Sequence, residues 1–210
     1  LIGGPFIKLF SNKKIFNPIR EDGPSDHIVK KIGTPTMGGI IILIGIIFSV
    51  ILWADLSNIY ILFCLYIVSS FGLLGALDDY KKIRDTSSKG ISSRLKILIQ
   101  LFLAVLGLIV LTYFIQYDEF NNLYFPFFKN LFVNLSWFFV PFSVFVIVGS
   151  SNAVNLTDGL DGLATVPVIL VAGCFAFISY VTGNIVFSNY LQILYIEGAG
   201  EISIFCGSII

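Results

Sequence analysis

Apolar residues in this chain fall into long unbroken runs, separated by short polar segments rich in Gly, Pro, Asp, Asn and Lys. A helix needs roughly 20 apolar residues to cross a bilayer, and runs of that order recur. They are continuous rather than alternating, so they predict spanning helices and not barrel strands. Residues 1–10 read as the end of a first helix. Others are predicted over Met37–Ala54, Ile59–Leu77, Leu95–Gln116, Leu131–Gly149 and Leu163–Tyr180, with a seventh beginning after Glu201. Between them, Ser11–Gly39 is broken by Pro18, Gly23, Pro24, Gly33, Pro35, Gly38 and Gly39, which rule out a long helix. Asp55–Asn58 has room only for a tight turn, Tyr117–Asn130 is aromatic and suits an interface, and Asn184–Glu201 is a loop of some amphipathic character. The expected fold is all-α: a polytopic transmembrane helix bundle with its active site in polar loops, forming one integral-membrane domain over residues 1–210. A start without Met and an end inside an apolar run lead us to expect a fragment of a longer chain.

Composition agrees. Of 210 residues, 56% are hydrophobic and 12% charged, about half the charge of a soluble domain. The formal net charge of zero hides a segregation. Lys8, Lys13, Lys14, Arg20, Lys30 and Lys31 precede the second helix, and Lys81, Lys82, Arg84, Lys89, Arg94 and Lys96 follow the third. Both groups fall on one side of the membrane, and Lys129 alone lies opposite. By the positive-inside rule that side is cytoplasmic, and two more helices bring Asn152–Gly162 to it as well. Cys64, Cys174 and Cys206 sit in apolar runs without metal-like spacing and are expected to pack as small hydrophobes. No internal repeat is visible, which weighs against an inverted-repeat transporter. A transporter would also place acids midway along its helices, whereas these gather at one face.

Polar groups in such a chain are costly if they face lipid, so by default they line a cavity and do chemistry. In Val148–Ala164, Asn155, Asp158 and Asp161 recur every third residue, with Asn152 behind them. They suit a sugar, a base or a cation. The plainer alternative is an N-cap for the next helix, supplied by Asp158 or Asp161, but one cap does not need four polar residues. Asp78 and Asp79 close the third helix, where acids oppose the helix dipole. Adjacent carboxylates can hold Mg²⁺ together with substrate phosphates, and a carboxylate crowded by another can serve as a base. Lys82, with Lys81 and Arg84, suits phosphate oxygens or lipid headgroups. Lys31–Gly39, reading KIGTPTMGG, is a glycine-rich turn opening a helix, a setting that attracts phosphate or a nucleobase. His27, the only histidine, reads as a plain loop residue.

Three segments together carry a resemblance: PIREDGPSDHIVKKIGTPTMGG (18–39), LGALDDYKKI (74–83) and NAVNLTDGLDGLA (152–164). They resemble the phospho-N-acetylmuramoyl-pentapeptide transferases, within the wider superfamily of polyprenyl-phosphate sugar-1-phosphate transferases. The resemblance implies transfer of phospho-N-acetylmuramoyl-pentapeptide from UDP-N-acetylmuramoyl-pentapeptide to undecaprenyl phosphate, giving lipid I and UMP, in the bacterial cytoplasmic membrane. It implies Mg²⁺ as cofactor. Matched by motif, the resemblance makes Asp78 and Asp79 the catalytic acids, Asp78 the better candidate for deprotonating the lipid phosphate, and both of them metal ligands. Lys82 is placed for phosphate charge. Lys31, Thr36, Asn152, Asn155, Asp158 and Asp161 match positions around the nucleotide-sugar pocket. A later family aspartate and a histidine-rich motif lie beyond residue 210, so the fragment alone is expected to be inactive. Expected partners are the two substrates and membrane lipid, with no nucleic acid and with homodimerisation left open. Direct attack by the lipid and a covalent aspartyl intermediate both stay open. A sibling enzyme moving N-acetylglucosamine-1-phosphate is the nearest rival.

Overall fold

The computed structural model describes Gly4 and residues 38–85, 90–115, 118–125, 128, 131–158 and 162–210. Among them the expected all-α membrane class holds. Helix α1 (Gly39–Trp53) is followed by α2 (Ile59–Arg84), α3 (Ser93–Phe114), α4 (Phe139–Thr157), α5 (Thr165–Thr182), the short α6 (Ile185–Leu191) and α7 (Ile202–Ile209). Four of them, α2, α3, α5 and α4 with its preceding 3₁₀ turn, are long and apolar enough to cross a membrane. Phe102, Phe145, Leu170 and Phe175 on these helices are exposed, as suits spans whose solvent is hydrocarbon.

Two boundaries correct the sequence expectation. Helix α2 does not stop at Leu77 but continues to Arg84, with Lys81, Lys82 and Arg84 in its last turn. Cations there complement the helix dipole, and Asp–Lys pairs three and four residues apart support the added turns. Asp78 and Asp79 therefore lie inside a helix rather than at its end. The other change is at α4, which begins at Phe139 and runs to Thr157 instead of spanning Leu131–Gly149. Phe132–Asn134 (β2) pairs antiparallel with Asn122–Tyr124 (β1), and Asn134 donates to the Asn122 side chain at 2.8 Å. Pro141 falls in the first turn of α4, where its missing N–H leaves no helix bond unmade. The displaced end takes Asn152 and Asn155 into the helix. The expected loop 184–201 contains α6, capped by Asn184, which accepts from Val186 N and Phe187 N.

Contacts divide the chain into two compact units: Leu1–Gly45 with Val68–Ile99, and Ile46–Ile67 with Gln100–Ile210. In the first, Gly72 lies so close to Leu43 that a Cβ would strike its side chain. In the second, Val50, Ile61, Ala104, Leu108, Val144, Val148 and Phe205 are buried. Tyr66 donates its hydroxyl to Leu103 O at 3.1 Å, and α5 packs on α7. The α1–α2 turn is tied down in that unit from both sides. Asn58 donates to Gly198 O at 2.9 Å and accepts from Tyr60 N, while Asp55 N donates to Glu201 Oε2 at 2.8 Å. A cavity of about 450 Å³ with an almost wholly apolar lining, including Cys64, Val154, Val168, Phe175 and Phe205, also belongs to this unit.

Candidate active site

Helical spacing brings Asp78, Asp79 and Lys82 together. Residues three and four apart share a helix face, and the Lys82 ammonium lies 2.7 Å from Asp78 Oδ2 and 3.2 Å from Asp79 Oδ1. The mutual repulsion of neighbouring carboxylates is thus offset by one cation bridging both. Asp78 is buried and Asp79 is not, which separates two residues that look alike in sequence. The chain after α2 returns to the cluster: Ile91 N donates to Asp78 Oδ1 at 2.6 Å. Both oxygens of Asp78 are therefore held, one by a main-chain N–H and one by Lys82, whereas Asp79 engages Lys82 through Oδ1. Gly90 makes the return feasible, because a Cβ there would collide with the Asp78 carboxylate. Lys96, near the start of α3, adds a further positive charge to the same compact unit.

Of these partners the sequence singled out Asp78, Asp79 and Lys82. It did not single out Gly90 or the Ile91 N–H, and Lys96 entered only as part of a basic loop. A glycine following a helix and a short linker is a weak signal, and a main-chain donor has none.

The second polar group lies at the end of α4. Asn152 and Asn155 are inside the helix and Asp158 is its C-cap, its N–H bonded to Val154 O. Of the expected row, Asn155 thus lies in α4 with Asn152 one turn before it, and the helix stops at Asp158. Asp158 is not the N-cap of α5: that position is Ala164, with no side-chain cap. The capping alternative therefore fails for Asp158. Asn155 and Asp158 are exposed, and Asn152 is half-buried with its amide donating to Gln100 Oε1 and to Val148 O, both at 2.8 Å. Gln100, buried within α3, was missed by the sequence reading. Lys31, Thr36 and Asp161, and with them His27, lie outside the described residues.

Chemically, Asp78 and Asp79 provide the hard oxygen donors that Mg²⁺ takes. Among the described residues no cluster of three or more His, Cys, Asp and Glu could enclose a metal on its own. An ion held by this pair would need waters and phosphate oxygens to complete its shell. Lys82 adds a positive charge at the same place.

An acid pair bridged by a lysine near the end of a membrane-spanning helix brings two carboxylates and one cation together at one place. Residues 60–205, more than half of the chain, match the model of glycosyl transferase family 4, and the chain belongs to that family. Residues 31–43 match the phospho-N-acetylmuramoyl-pentapeptide-transferase signature 1. The chain is similar to the phospho-N-acetylmuramoyl-pentapeptide-transferase of Pelagibacter ubique (strain HTCC1062), 69% identical over 210 residues, which cover 100% of this chain and 58% of that protein. Its similarity to the corresponding protein of Bartonella quintana (strain Toulouse) is 50% over 193 residues, 92% of this chain and 53% of the relative. For Rickettsia bellii (strain RML369-C) it is 49% over 211 residues, 100% of this chain and 58% of the relative. The chain spans a little over half the length of the curated relatives it matches.

Proposed function

We propose that the protein transfers phospho-N-acetylmuramoyl-pentapeptide from its UDP-linked donor to undecaprenyl phosphate, at the cytoplasmic face of a bacterial inner membrane. The observation that carries this reading is the Asp78–Asp79–Lys82 cluster, on a spanning helix of a chain whose relatives bear that name. An oxygen of the lipid phosphate attacks the sugar-linked phosphorus. A new P–O bond forms, the P–O bond to UMP breaks, and lipid I results. Asp78 receives the proton of the lipid phosphate when that phosphate arrives protonated. Lys82 now touches both carboxylates; moving its ammonium to a phosphate oxygen frees Asp78 Oδ2 for that proton. Asp79, with Asp78, would hold Mg²⁺. The ion would neutralise diphosphate charge, the main need of phosphoryl transfer once the groups are positioned. Asn152, Asn155 and Asp158 would supply polar contacts to the nucleotide sugar.

Purified full-length protein in detergent, given undecaprenyl phosphate and either UDP-N-acetylmuramoyl-pentapeptide or UDP-N-acetylglucosamine, tests the reading. UMP release with the muramoyl donor alone, abolished by chelating divalent cations, is expected. Turnover only with the acetylglucosamine donor would assign the protein to the sibling activity. A second check lies at Gly90. Gly90→Ala pushes a methyl group into the Asp78 carboxylate and is expected to lower kcat about tenfold or more, the scale of a misplaced catalytic group. Unchanged kcat would show that Asp78 need not sit where Ile91 holds it.

A further inference from the structure

We infer that Gln100 is a positioning residue, which fixes the amide of Asn152 so that its carbonyl oxygen, and not its N–H₂, is offered to the nucleotide sugar. Gln100 is only 4% exposed, in an otherwise apolar stretch of α3. Its Oε1 accepts from Asn152 Nδ2 at 2.8 Å, and Val148 O accepts from the same nitrogen at 2.8 Å. A primary amide has two N–H donors and one carbonyl acceptor. With the nitrogen engaged twice inside the protein, Oδ1 is what Asn152 has left to offer. An acceptor suits hydroxyl, amide or imide donors, which sugars and pyrimidine bases carry, and does not suit phosphate oxygens. Asn155 lies three residues on, beside Asn152 on the same helix. Deleting the Gln100 acceptor would leave the amide held by Val148 O alone, so that it could turn over and present N–H₂ where the ligand also has a donor. The inference rests on the reading of this helix end as the nucleotide-sugar pocket.

The plain alternative is that the pair only joins α3 to α4. The two roles separate kinetically in the full-length protein. Gln100→Met keeps the length of the side chain and loses the acceptor. It is expected to raise KM for the UDP-sugar roughly tenfold, the effect of one misdirected hydrogen bond, with kcat and KM for the lipid acceptor within about twofold of wild type. Gln100→Glu retains an acceptor and should stay nearer wild type. Asn152→Asp offers carboxylate oxygens in either orientation, so in that background Gln100→Met should no longer change KM. If Gln100→Met does not fold, Gln100→Ala replaces it in the same comparison. Equal loss in both backgrounds, or a lower thermal midpoint with unchanged KM, overturns the positioning role. An active wild type with unaltered Gln100 variants sinks this inference alone; a wild type that uses no UDP-sugar sinks the functional reading along with it.

Discussion

Asp78→Asn is expected to reduce turnover of the full-length protein by roughly three orders of magnitude while barely moving its thermal midpoint. The two effects part because the carboxamide keeps most of what holds the residue in place. Its oxygen can still accept from Ile91 N, which now meets Asp78 Oδ1 at 2.6 Å, and Lys82 keeps its contact with Asp79 at 3.2 Å. What disappears is an oxygen able to take a proton and a negative charge able to help bind a cation. Thermal unfolding in detergent and UMP release, measured on one preparation, read the two quantities separately. Near-normal UMP release would remove Asp78 from the chemistry. A collapsed thermal midpoint would show the buried carboxylate to be structural instead.

Lys82→Met should follow with a loss of about a hundredfold in kcat, the scale seen when one preorganised charge is removed from a developing anion. The stability effect should be far smaller. The Asp79 arm of the pairing, which water reaches, is worth about 1 kcal/mol or less, and buried Asp78 keeps the Ile91 N–H when the ammonium is gone. A large kinetic loss beside a small thermal one therefore distinguishes a charge used in transfer from one that merely quiets two acids. Lys82→Arg keeps the charge, but a planar guanidinium does not reproduce a compact ammonium between two carboxylates, so only partial recovery is expected. Full activity in Lys82→Met would leave the 2.7 Å contact to Asp78 as a structural ion pair.

The spanning helices were legible because lipid demands a simple sequence: a long apolar run with its backbone bonded internally. The boundaries were less so, since an apolar run ends where the hydrocarbon ends and a helix need not. Tyr80–Arg84 continues α2 through polar sequence, supported by Asp–Lys pairing that hydrophobicity alone does not register. In Leu131–Phe138 the reverse holds, an apolar aromatic stretch that forms a strand and a 3₁₀ turn before the helix begins. The acids and Lys82 were visible from residue type and spacing. Gln100 was not, because one amide inside an apolar run looks like tolerated polarity until its partner, 52 positions away, is known.

The contact from Ile91 to Asp78 has an evolutionary corollary. The donor is a peptide nitrogen, so nineteen of the twenty amino acids can make the same bond, and proline is the one that cannot. Selection on this contact would be nearly silent at residue 91 and felt one position earlier, at Gly90, where any side chain meets the carboxylate. A survey of tolerated substitutions would then show a permissive residue beside a restrictive one. The permissive residue would be the one that makes the hydrogen bond.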